Sequence, residues 1–451
     1  MVKHRLPPPP FMPDASLPPR PGRSAPAAPS SIPTPDDYYR LTVPLMLTVA
    51  LVGVFAFLQV YSVQSILPQL QQDLNASVVE IGNAVGMTVL AVALISPFIG
   101  MLSDAMGRKW LIVASVFALG VPTALMTQVE TVQGLLILRF LQGLAVPGIS
   151  VVLIAYIGEE FRGTSMVRVM TGYVTGTVLG GFLGRFLMGH FTEYMDWRMA
   201  FGVMAALNLA GTWVVWRGLP ASRHFAVNAR FSGSLATLGQ LLRNPALRAA
   251  CVLGFTILFS LVGLFTFVNL HLAAAPYHFG PGDLANIFSV YLLGVIVTPL
   301  AGRLIPRIGA RRTVLLAVAV SMLGVLGSLA PSARGIVAAL AVAACGVFVT
   351  QSSTMSFIAR RVTHGRSLAS GLYYSSYYCG GFAGAWACGV AYTLGGWPGT
   401  VAAIAAALAA GWLIAWRFMP GPMPPGQPGQ YGRQEPPGQP PAQPGGQQPP
   451  A

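Results

Sequence analysis

Apolar stretches near the roughly 20-residue length that carries a helix across a hydrocarbon core recur about every 30 residues through most of the chain. Twelve can be drawn, at about 43–67, 80–102, 110–128, 132–156, 168–190, 198–217, 248–272, 283–303, 312–330, 335–358, 367–392 and 398–418. The pattern predicts an all-α integral membrane protein of twelve transmembrane helices, and an even number of crossings puts both termini on one side.

The turn after the second stretch, Gly100-Met-Leu-Ser-Asp104-Ala-Met-Gly107-Arg108-Lys109, returns in degraded form as Gly302-Arg-Leu-Ile-Pro-Arg-Ile-Gly309-Ala-Arg311-Arg312. Further positions stay in register. Ser96-Pro97-Phe-Ile-Gly100 answers Thr298-Pro299-Leu-Ala-Gly302, Gly180-Gly181-Phe182-Leu-Gly184 answers Gly380-Gly381-Phe382-Ala-Gly384, and Trp197 answers Trp397. A duplicated chain of two six-helix halves, about 41–218 and 248–419, is the economical account, and two such halves facing a common cavity suit alternating access.

Charge orients the array. The connections after the even-numbered stretches carry Arg108, Lys109, Arg162, Arg168, Arg217, Arg223, Arg230, Arg243, Arg248, Arg303, Arg307, Arg311, Arg312, Arg360, Arg361 and Arg366, whereas the opposite connections carry Arg198 and Arg334. Basic loops stay cytoplasmic. Both tails (1–40 and 420–451, rich in Pro and expected to be disordered) and the central loop of 219–247 therefore belong on the cytoplasmic side. Composition agrees, because a 451-residue chain that is 54% hydrophobic and 9% charged cannot build an ordinary soluble surface. Its net charge of +14 is interleaved with apolar runs and so argues for membrane orientation rather than nucleic-acid binding. Cys251, Cys345, Cys379 and Cys388 all fall in apolar runs and read as small buried hydrophobes with no disulfide.

The turn at 100–109 is a nearly complete copy of the signature that the major facilitator superfamily carries between its second and third helices, and the chain resembles that superfamily over about residues 41–418. Within it, four segments resemble a drug-efflux-like, YnfM-like branch of bacterial inner-membrane transporters. They are Tyr61-Ser-Val-Gln64-Ser-Ile-Leu67-Pro68, Arg139-Phe-Leu-Gln142-Gly143, Gly180-Gly181-Phe-Leu-Gly184-Arg185, and Leu219-Pro220-Ala-Ser222-Arg223-His224-Phe225. The resemblance implies two pseudo-symmetric six-helix bundles, a monomer in the inner membrane, a small-molecule substrate, and proton-coupled efflux.

Candidate residues follow in two groups. Gly100, Asp104, Gly107, Arg108, Lys109, Gly302, Gly309 and Arg311 form the expected conformational switch, in which Asp104 accepts from helix N-terminal amides or pairs with a cytoplasmic arginine such as Arg162. Arg139 and Arg185 are cations inside apolar helices, where a charge faces a cavity or a partner. The resemblance links Arg139, beside Gln142, to proton coupling. Arg185 stands where drug antiporters usually have a Gly-Pro pair. Anion binding or snorkelling to an interface are the other readings of both arginines.

In the superfamily the first, fourth, seventh and tenth helices line the cavity, which nominates Gln59, Gln64, Arg139, Asn269, Gln351 and Ser352. The eleventh adds Tyr373, Tyr374, Tyr377 and Tyr378, whose spacing puts 373 with 377 and 374 with 378 on common faces. Tyr373 and Tyr377 are the pair carried forward as substrate-facing; interfacial packing is the alternative.

The carboxylates Glu80, Glu159, Glu160 and Asp283 fall near helix ends and Glu193 and Asp196 outside, so the apolar core lacks the desolvated acid that proton coupling most often uses. Uptake or facilitated diffusion of a sugar or organic acid is therefore the runner-up. A sensor built on a transporter scaffold is a third reading. No catalytic set, metal cluster or phosphate-cradling Gly-Lys-Ser motif is found, so neither an enzyme nor a cofactor is expected. The expected partners are a small molecule, protons and lipid.

Overall fold

A computed structural model describes residues 42–223, 239, 241, 243–361 and 366–419; among these the side chains at 100, 101, 104–106, 300, 301, 359–361, 366 and 367 lie outside the description. The two tails and most of the central loop also lie outside the described residues.

Among the described residues the chain is helical without strands. The first group comprises α1 (Val43–Leu58), α2 (Leu67–Asp73), α3 (Val78–Met106), α4 (Arg108–Leu125), α5 (Val132–Glu160), α6 (Gly163–Tyr194) and α7 (Trp197–Gly218). The second comprises α8 (Pro245–Ala273), α9 (Pro281–Ile287), α10 (Leu293–Ile308), α11 (Ala310–Gly327), α12 (Ala333–Arg361) and α13 (Arg366–Phe418).

Nine helical segments among the described residues are long and apolar enough to cross a bilayer, one of them α9 and α10 taken together, and α1 with α2, bent by 43°, makes a tenth. The 53-residue α13 contains non-helical Gly395 and Gly396 and is long enough for two crossings. The 32-residue α6 is long enough to cross as well, though it is not among the segments that are apolar enough by hydropathy.

The first predicted span is not one helix. Pro68 has no N–H to bond the Gln64 carbonyl, and the chain runs as a tight 3-10 turn over Ser62–Ile66 before α2 begins. Likewise the predicted 283–303 span is assembled from α9, a 3-10 turn Phe288–Leu292 and α10.

The repeat is visible in backbone geometry. Gly107 (φ 86°, ψ 143°) ends α3 and opens α4, and Gly309 (φ 84°, ψ 153°) does the same between α10 and α11. Both need a positive φ that a side chain would strain, which is why each signature turn has Gly at that place. Each donates its N–H back to the helix it ends, Gly107 to Ser103 O and Gly309 to Ile305 O. Trp197 and Trp397 are both buried, at matching helix starts.

Small residues set the close pairings. On α6, Gly176, Gly180 and Gly184 lie against the carbonyls of Ala50, Val54 and Leu58 of α1, and a Cβ at any of them would overlap those oxygens. Gly380 and Gly384 of α13 lie in the same way on Phe255 and Phe259 of α8. Without a hydrophobic drive between helices in lipid, such backbone approach is what binds them.

The two groups meet near the end of the molecule where α2 stops and α3 starts. There Gly82 and Gly86 of α3 touch Phe382 and Ala385 of α13, and Gly189 of α6 touches Pro281 and Ala285 of α9. Toward the other end Phe98 and Leu102 of α3 are exposed.

At that other end Arg108 is largely buried and forked onto Glu159, with Nη2 to Oε1 at 2.6 Å and Nε to Oε2 at 3.0 Å, while Nη1 donates to Ser103 Oγ. The sequence reading placed Arg108 in a basic cytoplasmic turn and in the switch group; the structure joins α4 to the end of α5 through it. Replacing Glu159 by Gln keeps the shape and removes the charge-assisted bonds, for an expected loss of about 1.5–3 kcal/mol. A double-mutant cycle with Arg108→Gln, read from the melting of purified protein, checks that the coupling lies between these two groups.

Candidate functional site: two buried guanidinium groups

The interruption after α1 leaves carbonyls of its last turn without helical partners, and within a bilayer such groups must be met by protein. Arg139 meets them. Fully buried on α5, it donates from Nη1 to Gln59 O at 2.8 Å, from Nη2 to Val60 O, from Nε to Ala84 O of α3 at 2.7 Å, and from Nη1 to Gln142 Oε1 at 2.6 Å. Gln142 is held in turn by donating to Thr123 Oγ1 of α4 at 2.7 Å, and Thr88 Oγ1 donates to the Arg139 carbonyl. Four of the five guanidinium N–H groups are thus taken, and one side chain ties α1, α3 and α5 together.

Arg185 is different. It is 1% exposed, so it does not snorkel. Its Nε donates to Gln64 Oε1 at 2.7 Å and its Nη1 to Gly181 O. The guanidinium carbon lies 4.4 Å from the ring centre of Tyr61, 4.6 Å from Phe288 and 4.5 Å from Tyr291. Tyr61 belongs to the break after α1, whereas Phe288 and Tyr291 belong to the 3-10 turn between α9 and α10, so the cage is built from both bundles. Gln64 also bridges them, donating from Nε2 to Thr266 Oγ1 of α8 at 3.1 Å.

The other predicted residues are spread more widely. Gln59 is buried and donates to Met204 O, leaving its Oε1 without a partner. Asn269 is buried on α8 and donates to Phe265 O at 2.6 Å, with Oδ1 unpartnered. Gln351 and Ser352, half-buried on α12, are not among the partners of either arginine. Tyr373 lies against Gly254 of α8, inside its own bundle, with an unpartnered hydroxyl. Its stacked partner Tyr377 lies 6.1 Å away between ring centres. Tyr378, stacked on Tyr374, packs together with Tyr61 against the apolar core of the first bundle. Tyr378 therefore reaches the first bundle, Tyr377 lies beside it, and Tyr373 is mainly a packing residue of its own bundle.

Of the switch group, Gly302 is exposed, Lys109 is half-buried, and Arg311 donates to the Trp416 carbonyl near the end of α13. Gly100 lies within α3. The Asp104 side chain lies outside the described residues, so its pairing with Arg162 is not described.

Sequence reasoning missed Tyr61, Phe288, Tyr291 and Thr266. A signal for Thr266 existed: it stands 202 positions after Gln64, the same offset as Pro97 and Pro299. Residues equivalent in the repeat can touch each other only near the two-fold axis, so this hydrogen bond marks the axis. No such signal existed for Phe288 and Tyr291, whose approach depends on the broken path of α9 and α10.

An apolar groove of about 560 Å³ opens between α4 and α7, lined by Trp110, Phe117, Trp213 and Trp216. These large exposed rings face outward, where lipid would cover them.

Long apolar helices in two glycine-bound bundles, closing on a buried polar centre from both, fit a multi-pass membrane transporter of small molecules. The chain belongs to the Major Facilitator Superfamily, whose sequence profile matches residues 49–276 and 268–444. It is 31% identical to the inner membrane transport protein YnfM of Escherichia coli K12 over 381 residues, covering 83% of this chain and 91% of that protein. It is 28% identical to the uncharacterized MFS-type transporter YybF of Bacillus subtilis, covering 73% and 81% of the two chains. A crystal structure of a D-xylose-proton symporter shares the fold, with a TM-score of 0.69 at 15% identity over 84% of this chain and 98% of that one.

Proposed function

We propose that the protein is a secondary exporter of small organic molecules in the bacterial cytoplasmic membrane, working by alternating access with both termini in the cytoplasm. The observation that carries this reading is the Arg185 cage, a buried charged centre shared between the two bundles. With the basic loops cytoplasmic, the end closed by Gly82, Gly86 and Gly189 faces outward. Export is the direction implied by the drug-efflux-like segments.

Proton exchange is the form of coupling the resemblance implies, with Arg139 in the coupling role and the signature turn, including Asp104, as the switch. Facilitated movement is the second reading, favoured by where the carboxylates sit. Glu80 accepts from Ser77 in a capping box, Asp283 caps α9, Glu159 is forked by Arg108, and Glu160 accepts from Arg223 N at 2.7 Å. Each of these acids is engaged at a helix end rather than at mid-span.

Uptake of a small fluorescent compound into inside-out vesicles, with and without an imposed pH gradient, decides between them. Accumulation only with the gradient supports proton-coupled export, equilibration without it supports facilitated movement, and no protein-dependent flux in either case removes the transport reading.

Alternation has its own test. His190 Nε2 and Asn286 Oδ1 meet at 3.2 Å across the closed end. His190→Cys with Asn286→Cys, in a chain whose four native cysteines are replaced by Ala, should cross-link with a short thiol-specific reagent and lose transport, and reduction of a disulfide-linked bridge should restore it. Undiminished flux through a fully cross-linked protein would show that this end does not open.

A further inference from the structure

We infer that Arg185 is the anchor for a small organic monocarboxylate with an apolar body, held by the guanidinium fork at the junction of the two bundles. The inference rests on the transport reading above and names the substrate class of the same centre.

The two buried arginines are in unlike states. Arg139 has acceptors for four of its five N–H groups, so its donors are spent on the carbonyls of Gln59, Val60 and Ala84 and on the Gln142 side chain. Arg185 has acceptors for two, Gln64 Oε1 and Gly181 O. Its remaining three N–H groups have no hydrogen-bond acceptor among the described residues, and beyond those two oxygens the charge faces the rings of Tyr61, Phe288 and Tyr291. Ring faces attract a cation but do not replace the hydrogen bonds that an anion gives, and no carboxylate is among the partners of this buried charge. A planar fork with free donors matches the two oxygens of a carboxylate.

One guanidinium calls for one negative charge, since a second on the ligand would be left uncompensated in the same apolar place. The surroundings select the rest of the ligand. Tyr61, Phe288 and Tyr291 at the guanidinium, with Tyr377 and Tyr378 in the adjoining aromatic cluster, offer ring faces and edges to an apolar body. A ligand cation fits poorly, because the cage that would receive it already holds Arg185.

Position adds a consequence for transport. Since Tyr61 comes from one bundle and Phe288 and Tyr291 from the other, the caged guanidinium is itself a contact across the closed end. A carboxylate that draws the free N–H groups toward itself competes with the rings and weakens that contact, so ligand binding favours the opening of this end. The counterpart of Arg185 in the repeat is Ala385, so the anchor exists in one bundle only.

The test uses purified full-length protein and three matched probe sets: benzoate, salicylate and phenylacetate; the corresponding neutral amides; and benzylammonium with phenethylammonium. Carboxylates should raise the melting temperature in a saturable way, with amides and ammonium compounds giving no shift. Arg185→Gln should weaken carboxylate binding about tenfold to hundredfold, as expected for lost charge-assisted hydrogen bonds, and Arg185→Lys should recover part of it.

Should Arg185→Gln fail to fold, the ranking of the three sets on the wild-type protein decides. The inference is overturned if no carboxylate binds, if amides or ammonium compounds bind as well, or if Arg185→Gln retains wild-type affinity. Counterflow of labelled benzoate in proteoliposomes separates this from the transport reading. Binding without flux keeps the anchor and removes transport of this class, whereas flux of neutral or cationic compounds alone keeps transport and removes the anchor.

Discussion

Replacing Arg139 by alanine is expected to abolish transport and to produce a larger drop in melting temperature than loss of its neighbour Gln142. The side chain donates to Gln59 O, Val60 O and Ala84 O; without it Gln59 O keeps Ser62 Oγ and Ala84 O its helical N–H, while Val60 O loses the donor it has here. An unmet buried carbonyl costs about 1–3 kcal/mol, and the charge-assisted bonds to the other two acceptors are lost with it. A competing term runs the other way, because removing a buried charge relieves its desolvation.

Arg139→Met weighs the two terms. It keeps much of the volume, loses the charge and loses the hydrogen bonds. If the carbonyls dominate, this variant melts as low as the alanine form, while Arg139→Lys, with one charged head in place of a fork, falls between. A methionine variant at least as stable as wild type would show that the charge is a burden and that Arg139 is retained for transport alone. Counterflow measured on the same variants separates a coupling role from a scaffold role, since a lost coupling group spares exchange and a lost scaffold does not.

The second large effect is expected at the glycines between α1 and α6. Gly184→Leu puts a side chain where the Leu58 carbonyl lies, and the obstruction is backbone, which cannot swing aside. Overpacking of this kind costs about 1–3 kcal/mol where side chains can adjust, and this site is at the upper end or beyond. Folded yield by size-exclusion should fall sharply. Gly384→Leu, which meets the Phe259 carbonyl in the same manner, should behave alike. By contrast Gly158→Ala, with nothing within 4 Å of the added carbon, should be well tolerated. Similar yields for all three would mean that close backbone approach does not hold these bundles together.

How much of this was legible in advance varies with the interaction. The crossings, the duplication and the signature turns can be read from apolar length and repeated Gly, Pro and Arg, because each is a local requirement of a bilayer or of a positive φ. The burial of Arg139 and Arg185 could be read in the same way, since a charge inside an apolar helix has few places to go. Their partners could not. Backbone carbonyls at a helix break carry no residue-type signal, and the ring cage joins positions 61, 185, 288 and 291 from separate elements. The pairing of Arg108 with Glu159 was equally hidden, as both had adequate separate explanations at a membrane surface.

Tyrosines 373–378 show the limit most plainly. Their spacing defines two faces, but which face looks across the molecule depends on how α13 is turned by Gly380 and Gly384 against α8. The sequence by itself determined a duplicated multi-pass membrane chain with two cations inside apolar helices, because hydropathy, repeat offset and local backbone demand are properties of short segments. Only the tertiary structure decided that one cation is spent on holding a broken helix while the other keeps free donors within an aromatic cage, because hydrogen bonds between distant segments depend on how the helices pack.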